Sequence, residues 1–154
     1  MPPVRLDRRW VVAIVLAVVV AGAVALSQTL LKRPSAECRP VIDLLDFNKS
    51  QAALIASKAE GAEGVPTAAE ETAYAAWADG LADRAGKVTS PELASQAVEL
   101  AGLANQFVAR LPVLRAATEA RAPGAPAPPV TYEMSALNDR ITNDIAELTK
   151  ACRR

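Results

Sequence analysis

Few side chains in this sequence are equipped for chemistry, and the first to weigh are its two cysteines, Cys38 and Cys152. A thiolate can serve as nucleophile, redox partner or metal ligand, but this pair lacks the close Cys-x-x-Cys spacing that tunes a thiol for redox work. Two cysteines in a chain without histidine cannot complete a zinc site of the usual kind, so no metal and no cofactor is expected. The lack of histidine also removes the commonest general base and pH switch. What remains are carboxylate pairs: Asp43 with Asp46, Glu70 with Glu71, and Asp79 with Asp83. Each falls on a predicted helix, where acids mark the solvated face or favour the first turn, which argues against a general acid. No glycine-rich phosphate loop, serine-elbow motif or repeat array is present. The expectation is a protein that is not an enzyme, with no catalytic residue to name.

The cysteines make better sense as a structural bond. They bracket almost everything after an apolar N-terminal segment, and two cysteines in an exported domain most simply form one disulfide, whereas in the cytoplasm they would stay reduced. Closing a loop of that length contributes on the order of 4 to 5 kcal/mol in the chain-entropy account.

The elements that must bring Cys38 to Cys152 are readable as helices. Aromatics make up 4% of the chain while alanine occurs 33 times, a mixture that favours close helix packing over a twisted sheet, so the fold is expected to be all-α. After Pro40 a first helix runs to about Ala59 with Val41, Leu44, Leu45, Ile55 and Ala59 on its apolar side, and Gly61 to Gly64 end it. Thr67 with Glu70 reads as a capping box opening a second helix that carries Tyr74, Trp77 and Leu81 and ends near Gly86. Thr89 with Glu92, and Pro91 in the first turn, open a third. Its stripe of Leu93, Ala97, Leu100, Ala104, Phe107 and Leu111 is the strongest periodicity in the chain. Pro112 should kink or end that helix, with Leu114 to Ala122 available as a further turn or two. The proline-rich linker 122–130 reads as a stiff extended connection; its PxxP spacings fit a partner-docking segment less well than a passive linker. A fourth helix from about Thr131 presents Met134, Leu137, Ile141, Ile145 and Leu148, and Cys152 extends the same stripe. Four helices with short connections favour an up-down-up-down bundle over 40–152, in which the start of the first lies beside the end of the last.

The N-terminal segment sets where this domain belongs. From Trp10 to Leu31 the only strongly polar interruption is Ser27 to Thr29, and at 1.5 Å per residue the stretch reaches about 33 Å, enough for a bilayer core of about 30 Å. Residues 10–31 are therefore expected to be a transmembrane anchor, with 1–9 as a cytoplasmic tail and 32–39 as a juxtamembrane linker. An export signal cleaved after Ala25 is the competing reading; Leu26, Leu30 and Leu31 prolong the apolar run past the cut and favour an anchor. The twin arginines Arg8 and Arg9 match a twin-arginine signal poorly. Basic residues flank both sides, Arg5, Arg8 and Arg9 before and Lys32, Arg33 and Arg39 after, so orientation rests on the cysteines rather than on charge. Ala13, Ala17, Ala21 and Ala25, with Gly22 beside them, line one helix face with small residues of the kind that let a second helix approach within lipid.

Charge narrows the partners. The chain is neutral overall, but beyond Arg33 it holds 12 basic against 16 acidic residues, and a mildly acidic domain has no electrostatic reason to bind nucleic acid. Abundant alanine and a preference for arginine over lysine point to a GC-rich bacterial genome, so the Asn48-Lys49-Ser50 sequon, inside a predicted helix, carries no weight. The leading expectation is a single-pass protein of the cell envelope, its C-terminal domain periplasmic or otherwise extracytoplasmic. It would act as an accessory or interaction subunit of a larger membrane complex. The alternative is a secreted or anchored binding module that holds a small apolar ligand or lipid near Tyr74, Trp77 and Phe107, residues that otherwise read as core.

Overall fold

In a computed structural model of the chain, the described residues are 34–59, 66–122 and 124–152. The chain divides into two units, Met1–Arg33 and Pro34–Arg154, and the second contains all the described residues. The expected anchor 10–31, and with it Ala13, Ala17, Ala21, Gly22 and Ala25, lies outside them. Among the described residues no helix is long and apolar enough to cross a membrane.

The second unit is all-helical: α1 (Arg39–Ala59), α2 (Ala68–Ala85), α3 (Pro91–Glu119) and α4 (Pro129–Cys152). Ser35 closes the turn leading into α1, its carbonyl and Oγ both accepting from the Cys38 N–H, at 3.0 and 3.3 Å. The capping box at α2 forms as expected: Thr67 Oγ1 accepts from Glu70 N–H at 3.2 Å and the Glu70 carboxylate accepts from Thr67 N–H at 2.6 Å. This reciprocal bonding explains why Glu70 is buried with the core, the one charged side chain so placed among the described residues.

Two expectations about α3 are corrected. Its N-cap is Ser90, not Thr89, because Pro91 at the first helical position drives the residue before it into extended backbone, seen as φ −67° and ψ 122° at Ser90. Glu92 then falls one position short of the capping-box site, and Ser90 makes no side-chain cap bond. The helix also does not end at Pro112 but continues to Glu119. Proline removes one intrahelical hydrogen bond there, but the turns beyond it are held by tertiary contacts. Leu111 is buried with Val130 and Met134 of α4, Leu114 and Ala117 pack on that cluster, and Arg115 pairs with Glu71 of α2. At the other end of the proline-rich stretch, Pro129 opens α4 two residues earlier than expected, again as a first-turn proline whose missing N–H costs nothing.

Cross-helix pairs give the arrangement. Asp43, Phe47 and Asn48 of α1 meet Arg84, Gly80 and Trp77 of α2 in reversed order. Glu71 and Tyr74 of α2 meet Arg115 and Phe107 of α3, and Glu99 and Arg110 of α3 meet Arg140 and Glu133 of α4. Each consecutive pair is therefore antiparallel, a four-helix bundle whose main core is built from the predicted stripes plus Ala73, Ala78, Ala85, Val88, Ala101 and Leu103. Leu44, Leu81, Leu100, Leu103, Leu111 and Leu148 are its largest fully enclosed side chains, each contributing roughly 1.5 to 3 kcal/mol by leaving water.

The disulfide forms as expected. Cys38 and Cys152 are bonded across a sequence separation of 114, with their Cα atoms 5.3 Å apart. The bond joins the entry to α1 with the last turn of α4. These two helices touch much less extensively than any pair of sequence neighbours.

Candidate functional site

The weak α1–α4 seam is where the bundle opens. Asn48 and Thr142 each lie ten residues from their cysteine, about 15 Å along the helix axes. Near that level a cleft of about 320 Å³ lies between α1 and α4. Its floor is Tyr74, Trp77 and Phe107, its α1 wall Asn48, Ala52, Ile55 and Ala56, and its α4 wall Asn138, Ile141, Thr142 and Ile145. Alanines at 52 and 56 explain the gap on the α1 side, because a methyl group cannot reach across to α4.

The floor is made by helix periodicity. Tyr74 and Trp77 are three apart and share a face of α2, and the antiparallel partner α3 brings Phe107 to the same level. The three ring centroids lie 5.4 to 6.4 Å from one another. Trp77 meets each of the other two edge-on, with interplanar angles of 79° and 84°. These are the favoured tilted contacts of aromatic rings, so the three form a packed platform rather than walls around a central space. Trp77 is held in place by its indole N–H, which donates to Asn48 Oδ1 at 2.8 Å across the α1–α2 interface. Tyr74 has its hydroxyl pKa raised, first by burial and then by the neighbouring Glu70 charge, so it stays neutral through the physiological range.

Among the described residues, eleven line the cleft and none of them carries a charge. The polar side-chain groups are two amides, two hydroxyls and the Trp77 indole N–H. Asn48 has its oxygen engaged by Trp77, which leaves its amide N–H groups to offer. Thr142 donates its hydroxyl proton to the Asn138 carbonyl at 2.8 Å, leaving that hydroxyl oxygen as an acceptor. Among the described residues the lining is mostly apolar and uncharged, with hydrogen-bonding groups on its two walls.

A larger depression of about 640 Å³ runs between α3 and α4, lined in part by Arg110, Glu133 and Arg140. It is an open surface groove whose arginines are already paired, Arg110 with Glu133 at 3.5 Å and Arg140 with Glu99 at 3.4 Å. The smaller, aromatic-floored cleft is the better-built site.

The other carboxylates occupy ordinary places. Asp43 lies 3.2 Å from Arg84, Glu70 caps α2, Glu71 pairs with Arg115, and Asp79 and Asp83 are exposed. Among the described residues, no cluster of Cys, Asp and Glu is placed to hold a metal ion. The structure thus unites Cys38 with Cys152, and Tyr74 and Trp77 with Phe107. Of the cleft walls, the sequence marks Ile55, Ile141 and Ile145 as members of apolar stripes and Asn48 only as part of a sequon; sequence reasoning did not set Ala52, Ala56, Asn138 or Thr142 apart. The available signal was the spacing of Asn48, Ala52 and Ala56, four apart on one face of α1, polar and small where a core face would be large.

No family model, no curated protein and no solved structure matches this chain. The functional reading therefore stands on the site.

Proposed function

We propose that this protein is a non-enzymatic binding module of the cell envelope, anchored by residues 10–31 and holding a small apolar ligand in the cleft between α1 and α4. The observation that carries the reading is the platform of Tyr74, Trp77 and Phe107 at the base of an uncharged opening along the least-packed seam of the bundle. Ligand sites are typically concave, mostly apolar and about 300 to 1,000 Å³, and spaces between the helices of a bundle are a usual place for them. Placement outside the cytoplasm is supported by the Cys38–Cys152 bond, which an oxidising compartment sustains, and by the apolar run from Trp10 to Leu31.

A second reading, an accessory subunit of a membrane complex, is favoured by the row of Ala13, Ala17, Ala21 and Ala25 with Gly22 in the proposed anchor. The two are compatible, since an anchored module can deliver its ligand to a neighbour. Native mass spectrometry of the full chain released from its own membranes tests the first. An adduct of defined mass is expected, and it should be lost in Ala52→Phe, where an aromatic ring fills the cleft from an exposed position. Recovery of only the bare chain, or an adduct indifferent to A52F, would overturn the reading.

A further inference from the structure

We propose that the cleft selects an electrically neutral ligand with a compact apolar body and one hydrogen-bond-accepting polar end, and that the amide of Asn48 receives that end. The inference rests on the ligand-binding reading above and narrows it to a chemical class. Three observations carry it. The first is the lining itself: among the described residues eleven line the cleft and none has an ionised side chain, so an ion seated against these apolar walls meets no countercharge among them. An anion is further opposed by Glu70, whose carboxylate is buried at the start of α2 and exerts its charge on Tyr74 of the floor.

The second observation concerns cations, which aromatic residues can attract through their ring faces. Here the three rings lie within 6.4 Å of one another and Trp77 meets the other two edge-to-face, so part of that surface is spent on the cluster. A cage for a quaternary ammonium needs faces turned toward a shared void. The third is the asymmetry of Asn48. Its Oδ1 already accepts from the Trp77 indole, which fixes the amide's orientation, while both Nδ2 protons remain to donate, so the group it offers most freely complements an ether, carbonyl or hydroxyl oxygen. The same bond ties ligand recognition to the floor, since the amide cannot turn over without breaking its contact with Trp77.

A matched series tests the class: 1-adamantanol, 1-adamantanecarboxylate and 1-adamantylammonium share one apolar body and differ in charge. The full chain is placed in phospholipid nanodiscs with Trp10→Phe, so that Trp77 is the sole tryptophan and its emission reports the cleft. The alcohol is expected to shift Trp77 emission saturably and to bind at least tenfold more tightly than either ion, with the response abolished by Ala52→Phe. Asn48→Asp retains an oxygen for the indole but exchanges the donor for a negative charge; it should reverse the order in favour of the ammonium. Should an ion bind as tightly as the alcohol in a manner that A52F abolishes, the cleft remains a ligand site and the neutral class is wrong. Should no member of the series produce a saturable response sensitive to A52F, the binding reading itself falls.

Discussion

At the scale of single residues, two positions show how local chemistry decides between opposed effects. Gly80 in the middle of α2 would ordinarily be a weak point, since alanine is favoured there by about 1 kcal/mol. A Cβ at this position would collide with the Phe47 ring, which lies against the α2 backbone with the Arg84 guanidinium 3.8 Å over its face. Gly80→Ala is therefore expected to lower stability in urea denaturation, whereas the same change in a Phe47→Ala background should raise it by up to about 1 kcal/mol. An equal effect in both backgrounds would show that the close approach does not matter. Asp144 of α4 is the converse case, a carboxyl with one oxygen buried and unbonded and with its pKa raised by desolvation first and by Glu99 second, against a smaller opposing pull from Arg140. A folded-state pKa above the unfolded value means that the native state holds its proton longer, so this group's contribution falls as pH rises through the acid range and is fully restored below about pH 4. Asp144→Asn is expected to raise the melting temperature at pH 7 and to have no effect at pH 3. At this scale the aromatic floor was legible, because Tyr74, Trp77 and Phe107 lie on apolar stripes. The polar positions of the walls were not, because Asn138 and Thr142 look like any solvated helix residues until α1 stands back from them.

At the scale of elements, the helices were legible wherever a long apolar period coincided with a capping signal, as at Thr67 and Glu70. They were misread where proline entered. Ser90 replaced Thr89 as cap because Pro91 constrains its predecessor, and α3 continued past Pro112 because Leu111, Leu114, Arg115 and Ala117 each find a tertiary partner. No sequence window contains those partners, since Glu71 and Met134 lie on other helices. The buried faces of α2 and α3 were wider than their stripes for a related reason: Ala78, Ala101 and Leu103 are buried in the core although they lie off those stripes. Pro112 itself is exposed and leaves the Val108 carbonyl without its intrahelical donor. Pro112→Ala is therefore expected to stabilise the domain by on the order of 1 to 3 kcal/mol in chemical denaturation. A loss of stability would mean that the proline shapes the packing of the turns after it.

At the scale of the whole molecule, the bundle, its disulfide and the proposed anchor make one connected prediction about place. A reporter fused behind Arg154 and active only outside the cytoplasm is expected, together with non-reducing mass spectra free of thiols in protein taken from cells; a cytosolic reporter with two free thiols would remove the envelope reading. The bundle was foreseeable as a whole because four amphipathic stripes joined by short connections admit few arrangements, and the two cysteines selected one in which the first and last helices adjoin. That a cleft would lie between the same pair was not foreseeable, since it depends on alanines at 52 and 56 facing a platform contributed by two other helices. The Cys38–Cys152 bond also changes the domain's topology: from one sulfur to the other the backbone forms a closed circuit. A single cut in the exposed stretch at Gly124 would then leave two pieces still covalently joined, and the order of the helices along the gene could be rewritten to begin at α4 without asking any side chain to find a new neighbour.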